Sequence, residues 1–381
     1  MKSVSKYLLI SLVLVHINCK DSPATAIFEL QAMASPAGQS SSFPYLFAGA
    51  DRMWMSWVET NDSLATLNYS AFKEGEWQES EEINRGSDWF VNWADFPAIT
   101  ENKGNLLSHV LQKSSGGTYS YDVKLSHKAG KDPWKNDLPL HTDSTFTEHG
   151  FVSSVPYEEG FFISWLDGRN TVEKPDGSRG PMSLRAAELS SSGEVIRSTM
   201  TDARVCDCCQ TTTAITANGP VVIYRDRSEE EVRDISIVRQ VDGAWTEPKR
   251  VHQDNWKING CPVNGPKVAV QGNTLAVAWF TGKEGATAVK LTFSEDGGGN
   301  FVEPIILAGT EAIGRVAVVL LDKDTSIVSW MESVGDNAAI HAMRVGKDGT
   351  KGIARIIAEL DASRRTGFPQ MELMGDTLYF A

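Results

Sequence analysis

The chain has 381 residues, with 36 Lys plus Arg against 49 Asp plus Glu, a net charge of -13 and 41% apolar residues. This composition supports a large folded core and excludes a disordered chain, and its acidic balance argues against nucleic acid as a partner, because a phosphate backbone needs a basic face. Eleven Trp, 32 Gly and 15 Pro, with few long runs of helix formers, point to strands and turns.

In chain order, a basic segment from Met1 to Lys6 precedes an apolar run from Tyr7 to Val15, and Cys19 follows closely. An apolar run this short reads as a secretory signal and not as a bilayer span. A Cys directly behind such a run resembles the bacterial lipoprotein signal, in which that Cys is acylated and becomes the new N-terminus. The resemblance implies a signal peptide over residues 1–18 and lipidation at Cys19. The protein would then be exported, to the outer membrane, the periplasm or the cell surface, and would touch the membrane through its lipid alone. His16 and Asn18 depart from the usual residues of that signal, and an ordinary signal peptide with a spare cysteine is the alternative. Residues 19–42 then form a tether carrying one closing strand, Ile27 to Gln31.

From residue 43 to residue 381 the chain repeats itself. Short apolar runs end at Trp57, Val110, Trp165, Tyr224, Trp279 and Trp330, at intervals of 51 to 59 residues. Each follows a turn signal, such as Asn102-Lys-Gly104 or Asn218-Gly219, and each turn follows another apolar stretch, which is the pattern of a β-hairpin. A third alternating run and a short fourth follow each hairpin. Four antiparallel strands per repeat of this length is the unit of a β-propeller. The expectation is an all-β, six- or seven-bladed propeller of four-stranded antiparallel blades. A seventh unit begins at Gly367 and carries only a first strand, a turn and a second strand. It is completed either by further chain or by Ile27 to Gln31. Trp57, Trp165, Trp279 and Trp330 share one repeat position, so they read as packing between blades.

The turn Ser294-Glu-Asp296-Gly-Gly298-Gly-Asn-Phe301 fits the Asp-box pattern, with Phe in the place of the usual Trp, and looser copies occur at Ser70 to Trp77, Ser126 to Trp134 and Asp242 to Trp245. On these residues the chain resembles the sialidase-like, BNR or Asp-box superfamily of propellers. That family binds a substrate carboxylate with three Arg and uses a Tyr nucleophile paired with Glu and an Asp as acid/base. The resemblance therefore implies a glycan ligand or, for an enzyme, a glycoside hydrolase of exo-α-sialidase type. The family's Arg-Ile-Pro signature is absent, and the units start Phe43-Pro44, Phe96-Pro97 and Phe368-Pro369 instead. No catalytic residue is carried over. Arg169, Arg225, Arg227 and Arg315 follow strand ends and are candidates for an anion site, with Asp95 and Trp93 beside them; solvated arginines, or arginines paired with Asp167, Asp226 and the acidic run 229–231, are the simpler reading. Trp256 and Tyr119 break the repeat and are candidates for stacking on a ligand.

The most specific local feature is the run Cys206-Asp-Cys208-Cys209 together with Cys261, since Cys209 and Cys261 stand one repeat apart, each just before the first strand of a blade. The register brings four sulfurs to one rim of the channel, with His149 at the matching place in an earlier unit. Disulfide stapling is one chemistry for such a cluster outside the cytoplasm; a Cu(I) or Zn site is the other. Two functions from different classes follow: a glycan-binding or glycan-processing propeller, and a noncatalytic recognition or scaffold module of the cell envelope built on the cysteine site.

Overall fold

The computed structural model describes residues 29–381. The signal-like segment, Cys19, Ile27 and Phe28 lie outside the described residues. Among the described residues, six antiparallel sheets of four-stranded type follow one another along the chain, over 41–86, 99–139, 149–202, 212–250, 267–308 and 312–361. In the first and fourth sheets the outermost strand is broken into two short pieces. A two-stranded sheet follows, in which Met371–Met374 pairs with Thr377–Phe380.

The innermost strands touch in sequence order around a ring, and Met371–Met374 touches both the sixth blade's inner strand and the first blade's, Ser41–Ala48. The chain is thus an all-β, six-bladed propeller of four-stranded blades, with a two-stranded sheet between the sixth blade and the first. Among the described residues a seventh four-stranded blade is not formed. The closing strand expected at Ile27 to Gln31 is corrected on its described part: Glu29, Leu30 and Gln31 are exposed and in no strand.

All six expected hairpins are present, each joining a blade's first and second strands. The second strands Gly160–Asp167 and Thr274–Thr281 are buried at every position, which accounts for their continuous apolar sequence: each face packs on a neighbouring blade. An outer strand such as Arg355–Asp361 is largely exposed and correspondingly polar. Trp57, Trp165, Trp279 and Trp330 are among the largest fully buried side chains. Each indole N–H donates to a carboxylate, on Glu59, Asp167, Asp254 and Glu332 respectively, so the repeated Trp is satisfied as well as packed.

The Ser294 to Phe301 turn joins the third and fourth strands of the fifth blade. Asp296 Oδ1 accepts the Asn300 N–H at 2.8 Å and the Ser294 hydroxyl at 2.8 Å, and Ser294 Oγ accepts the Gly298 N–H at 2.9 Å. Asp296→Ala removes these acceptors and is expected to lower stability by about 1 to 2 kcal/mol, read as a lower urea midpoint at unchanged slope.

Candidate functional site

The loops that precede the inner strands all lie at one end of the ring. There the axis is filled: Phe43 packs on Phe96 at 6.4 Å between ring centroids, Phe96 on Phe368 at 6.3 Å, and Trp93 stacks on Phe368 at 5.8 Å. Farther along the same strands a cavity of about 340 Å³ is lined by Tyr45, Ser153, Thr213, Lys267, Gln370 and Glu372, among others.

Asp95, Gln210 and Asn264 precede the inner strands of the second, fourth and fifth blades at one register position, and each reaches across to the next blade. Asp95 Oδ1 accepts the Phe151 N–H at 2.7 Å, Gln210 Oε1 the Gly265 N–H at 3.0 Å, and Asn264 Oδ1 the Arg315 N–H at 2.8 Å. Gly150 and Gly314 occupy the same position in the receiving blades because a Cβ there would stand 2.0 Å from Asp95 Oδ2 and 2.3 Å from Asn264 Oδ1. Asp95 is therefore the one carboxyl among amides that do the same work. It is 3% exposed.

Burial and the nearby Glu148 raise Asp95 to about 8, against the Phe151 N–H, which favours the ionised form. Its second oxygen faces Tyr121, whose hydroxyl lies 3.3 Å from Asp95 Oδ2 and 2.7 Å from Glu148 Oε1. Tyr121 is itself fully buried, stacked on Phe90 at 4.4 Å, and raised far above its ordinary value by burial and the two acids. Glu148 is half-buried. Burial raises it to about 7, with Asp207 and Cys206 adding to the effect and the Tyr121 hydroxyl opposing it. One phenol thus holds two carboxyls, both protonated to a large extent near neutral pH. Nearby in the chain Tyr119 is 61% and Phe146 68% exposed, and Ser120 Oγ, next to Tyr119, donates to the Phe146 carbonyl.

The candidate arginines separate into two kinds. Arg225 is 1% exposed, and its guanidinium donates to the carbonyls of Asn264, Arg233 and Phe280 while lying over Trp256. Arg315 donates to the carbonyls of Gly367 and Ser363 and lies over Trp93 and Phe368. Both are struts between blades, with no donor aimed at a ligand. Arg225→Met leaves those buried carbonyls unpaired and is expected to destabilise by about 3 kcal/mol or more, measured as a fall in Tm with unchanged secondary structure. Arg169 is bonded to Asp167 by Nε at 2.6 Å and faces Asp143 at 3.3 Å; Arg227 pairs with Asp207 at 2.8 Å and Glu231 at 2.7 Å. These two remain partly exposed, each against carboxylates.

His149 is buried, stacked on His141 at 3.9 Å, with Nδ1 facing the Tyr121 carbonyl and Nε2 facing Asp143 at 3.3 Å and Asp167 at 3.8 Å. It stands in a His and Asp cluster and not among the cysteines. Burial raises the Asp143 pKa, but hydrogen bonds from Thr145 and the charges of His149 and His141 outweigh it and hold Asp143 well below the ordinary carboxylate value. Asp122, His141 and His149 could hold a metal ion, as could Asp143, His149 and Asp167, although Arg169 already balances the second set.

The cysteine segments do meet. Cys208 and Cys261 form a disulfide, while Cys206 and Cys209 are buried free thiols. Cys206 Sγ lies 3.2 Å from Cys209 Sγ and 4.0 Å from Cys208 Sγ, and it accepts a hydrogen bond from Arg233 Nη1 at 3.2 Å. Sequence reading missed Glu148, Tyr121 and Arg233. The only signal for the first was its place two residues before the unit start at Gly150.

No protein-family model and no curated protein matches the chain. Among solved structures it is similar to the Hadza microbial sialidase Hz136, at 12% identity and a TM-score of 0.43, over 78% of this chain and 64% of that one. It is also similar to the GH43_1 enzyme from Xanthomonas citri complexed with xylose, at 12% identity and TM-score 0.42 over 84% and 92% of the two chains. A neuraminidase-like protein from A/bat/Guatemala/164/2009 matches at 12% identity and TM-score 0.44, over 83% and 87%. The chain spans less than two thirds of the length of that sialidase. At these identities the likenesses assign no activity to it.

Proposed function

We propose that the protein is an exported, carbohydrate-active propeller that binds a glycan over the loops preceding its second, third and fourth blades and hydrolyses a glycosidic bond there. The observation that carries this reading is the pair of acids Asp95 and Glu148 meeting at the Tyr121 hydroxyl, where burial, against that hydroxyl, keeps a half-buried Glu148 protonated up to about pH 7. A carboxyl held in that state donates a proton to a departing sugar oxygen. Asp207, salt-bridged to Arg227 and near enough to raise Glu148, is the second carboxylate such chemistry uses. The exposed Tyr119 and Phe146 rings supply apolar faces for a pyranose. Arg225 and Arg315 are committed to backbone carbonyls, which favours a neutral glycan over a sialic acid. The basic and apolar N-terminal segment ending near Cys19 supports export and lipid anchoring.

The test is a panel of neutral and sialyl aryl glycosides at pH 5 to 8, with a glycan array for binding. Release of the aryl group from a neutral glycoside by the wild type and not by Glu148→Gln supports the reading; no cleavage and no glycan bound overturns it.

A second reading is favoured by one observation: the sulfurs of Cys206, Cys208 and Cys209 lie within 4.8 Å of one another. In a reducing environment they are a soft-ligand set for Cu(I) or Zn, and the propeller is then a noncatalytic recognition module of the cell envelope. Elemental analysis of anaerobically purified protein decides it.

A further inference from the structure

The four sulfurs are arranged unequally, and the inequality has chemical content. The Cys208–Cys261 disulfide reaches solvent, since Cys261 is exposed and Cys208 half-buried. Cys206 is 0% and Cys209 1% exposed, so no external reagent touches them in the folded chain. The buried pair has the Cys-x-x-Cys spacing of dithiols that close readily to a disulfide. Cys206 lies behind Cys208 at 4.0 Å, and Cys209 lies behind Cys206 at 3.2 Å, so the sulfurs form a path from the surface inward.

We infer that these cysteines form a thiol–disulfide relay, in which the buried Cys206–Cys209 dithiol exchanges with the surface Cys208–Cys261 disulfide. The Cys206 thiolate attacks Cys208 Sγ; the Cys206–Cys208 bond forms, the Cys208–Cys261 bond breaks and Cys261 leaves as a thiolate. Cys209 then attacks Cys206 Sγ, the Cys206–Cys209 bond forms, Cys208 leaves as a thiolate, and the proton of Cys209 passes to a departing sulfur. One disulfide is exchanged for another, two thiols for two thiols, so no external oxidant is needed. The activity is the transfer of a disulfide between protein interior and surface, where an external thiol of the glutathione class reads it through the exposed Cys261.

The surroundings favour the first step. Arg233 bonds the attacking sulfur and is itself held by Glu231 at 2.8 Å, and Cys209 Sγ stands 3.2 Å from the same sulfur. Cys206, bonded by Arg233 and 4.0 Å from Cys208, stands as the nucleophile, and Cys209, 3.2 Å behind it, as the resolver. The relay is independent of the glycan reading.

The test equilibrates the full-length protein in glutathione buffers of graded ratio. It quenches with acid, alkylates in denaturant and maps the linkages by mass spectrometry. In the wild type a Cys206–Cys209 disulfide appears as Cys208–Cys261 is lost. In Cys209→Ser the resolving step is removed and Cys206–Cys208 accumulates instead, at least about tenfold over its wild-type level. Should that variant misfold, Cys261→Ser serves: oxidised glutathione then drives Cys206 and Cys209 together. The relay is overturned if no ratio produces Cys206–Cys209 in the wild type, or if Cys206 and Cys209 stay free in Cys261→Ser.

Discussion

Glu148→Gln is expected to lower kcat on a cleaved glycoside by about a hundredfold to ten-thousandfold, with KM changed little, because the amide keeps the shape and loses the proton. The pH dependence carries the same information. A general acid with a pKa of about 7 is competent below that value, so wild-type activity declines as pH rises through 7. Tyr121→Phe removes the hydroxyl that joins Glu148 to Asp95, and this hydroxyl favours the ionised form of Glu148. The descending limb therefore shifts to higher pH in the phenylalanine variant, an outcome that a packing role for Tyr121 alone does not produce.

Asp95→Asn is expected to stabilise the protein at pH 9 by about 2 to 4 kcal/mol and to change little at pH 4. In the unfolded chain Asp95 ionises near 4, whereas in the folded chain it holds its proton up to about 8. Between those values the native state binds one proton more than the unfolded state, so wild-type stability falls as pH rises through that window and levels off above it. The substitution fits because Gln210 and Asn264 already do the same work at the matching positions. Its oxygen keeps the Phe151 N–H, and its amide donates toward Tyr121. Thermal melts at the two pH values check this, and an unchanged pH slope contradicts it. Gly150→Ala strikes the same joint from the other side and is expected to unfold the blade contact, since its Cβ would overlap Asp95.

Hairpin, blade and repeat were legible because each is local: alternating residues make the strand, Asn, Asp and Gly make the turn, and a Trp in four of the six second strands marks the register. Two matters escaped for non-local reasons. Arg225 follows a strand end in the sequence like any exposed arginine, and only the assembled ring brings it the carbonyls of Asn264 and Phe280 from the next blade. Tyr121 and Glu148 are separated by 27 residues and meet only because Tyr121 begins the third strand of one blade and Glu148 precedes the first strand of the next. The cysteine segments were easier to place together, since Cys208 and Cys261 stand 53 residues apart, one repeat, and equal register on adjacent blades means proximity.

The central claim is that two carboxyls under one phenol stay protonated near neutral pH. Carboxyl carbons of Asp and Glu, labelled with carbon-13 and followed by NMR from pH 3 to 10, report it directly. The account predicts one resonance with a midpoint of about 7 that is absent in Glu148→Gln and one of about 8 that is absent in Asp95→Asn. If neither variant removes a resonance titrating above pH 6, so that both groups ionise in the ordinary carboxylate range, the site is a structural joint between blades and the account is wrong.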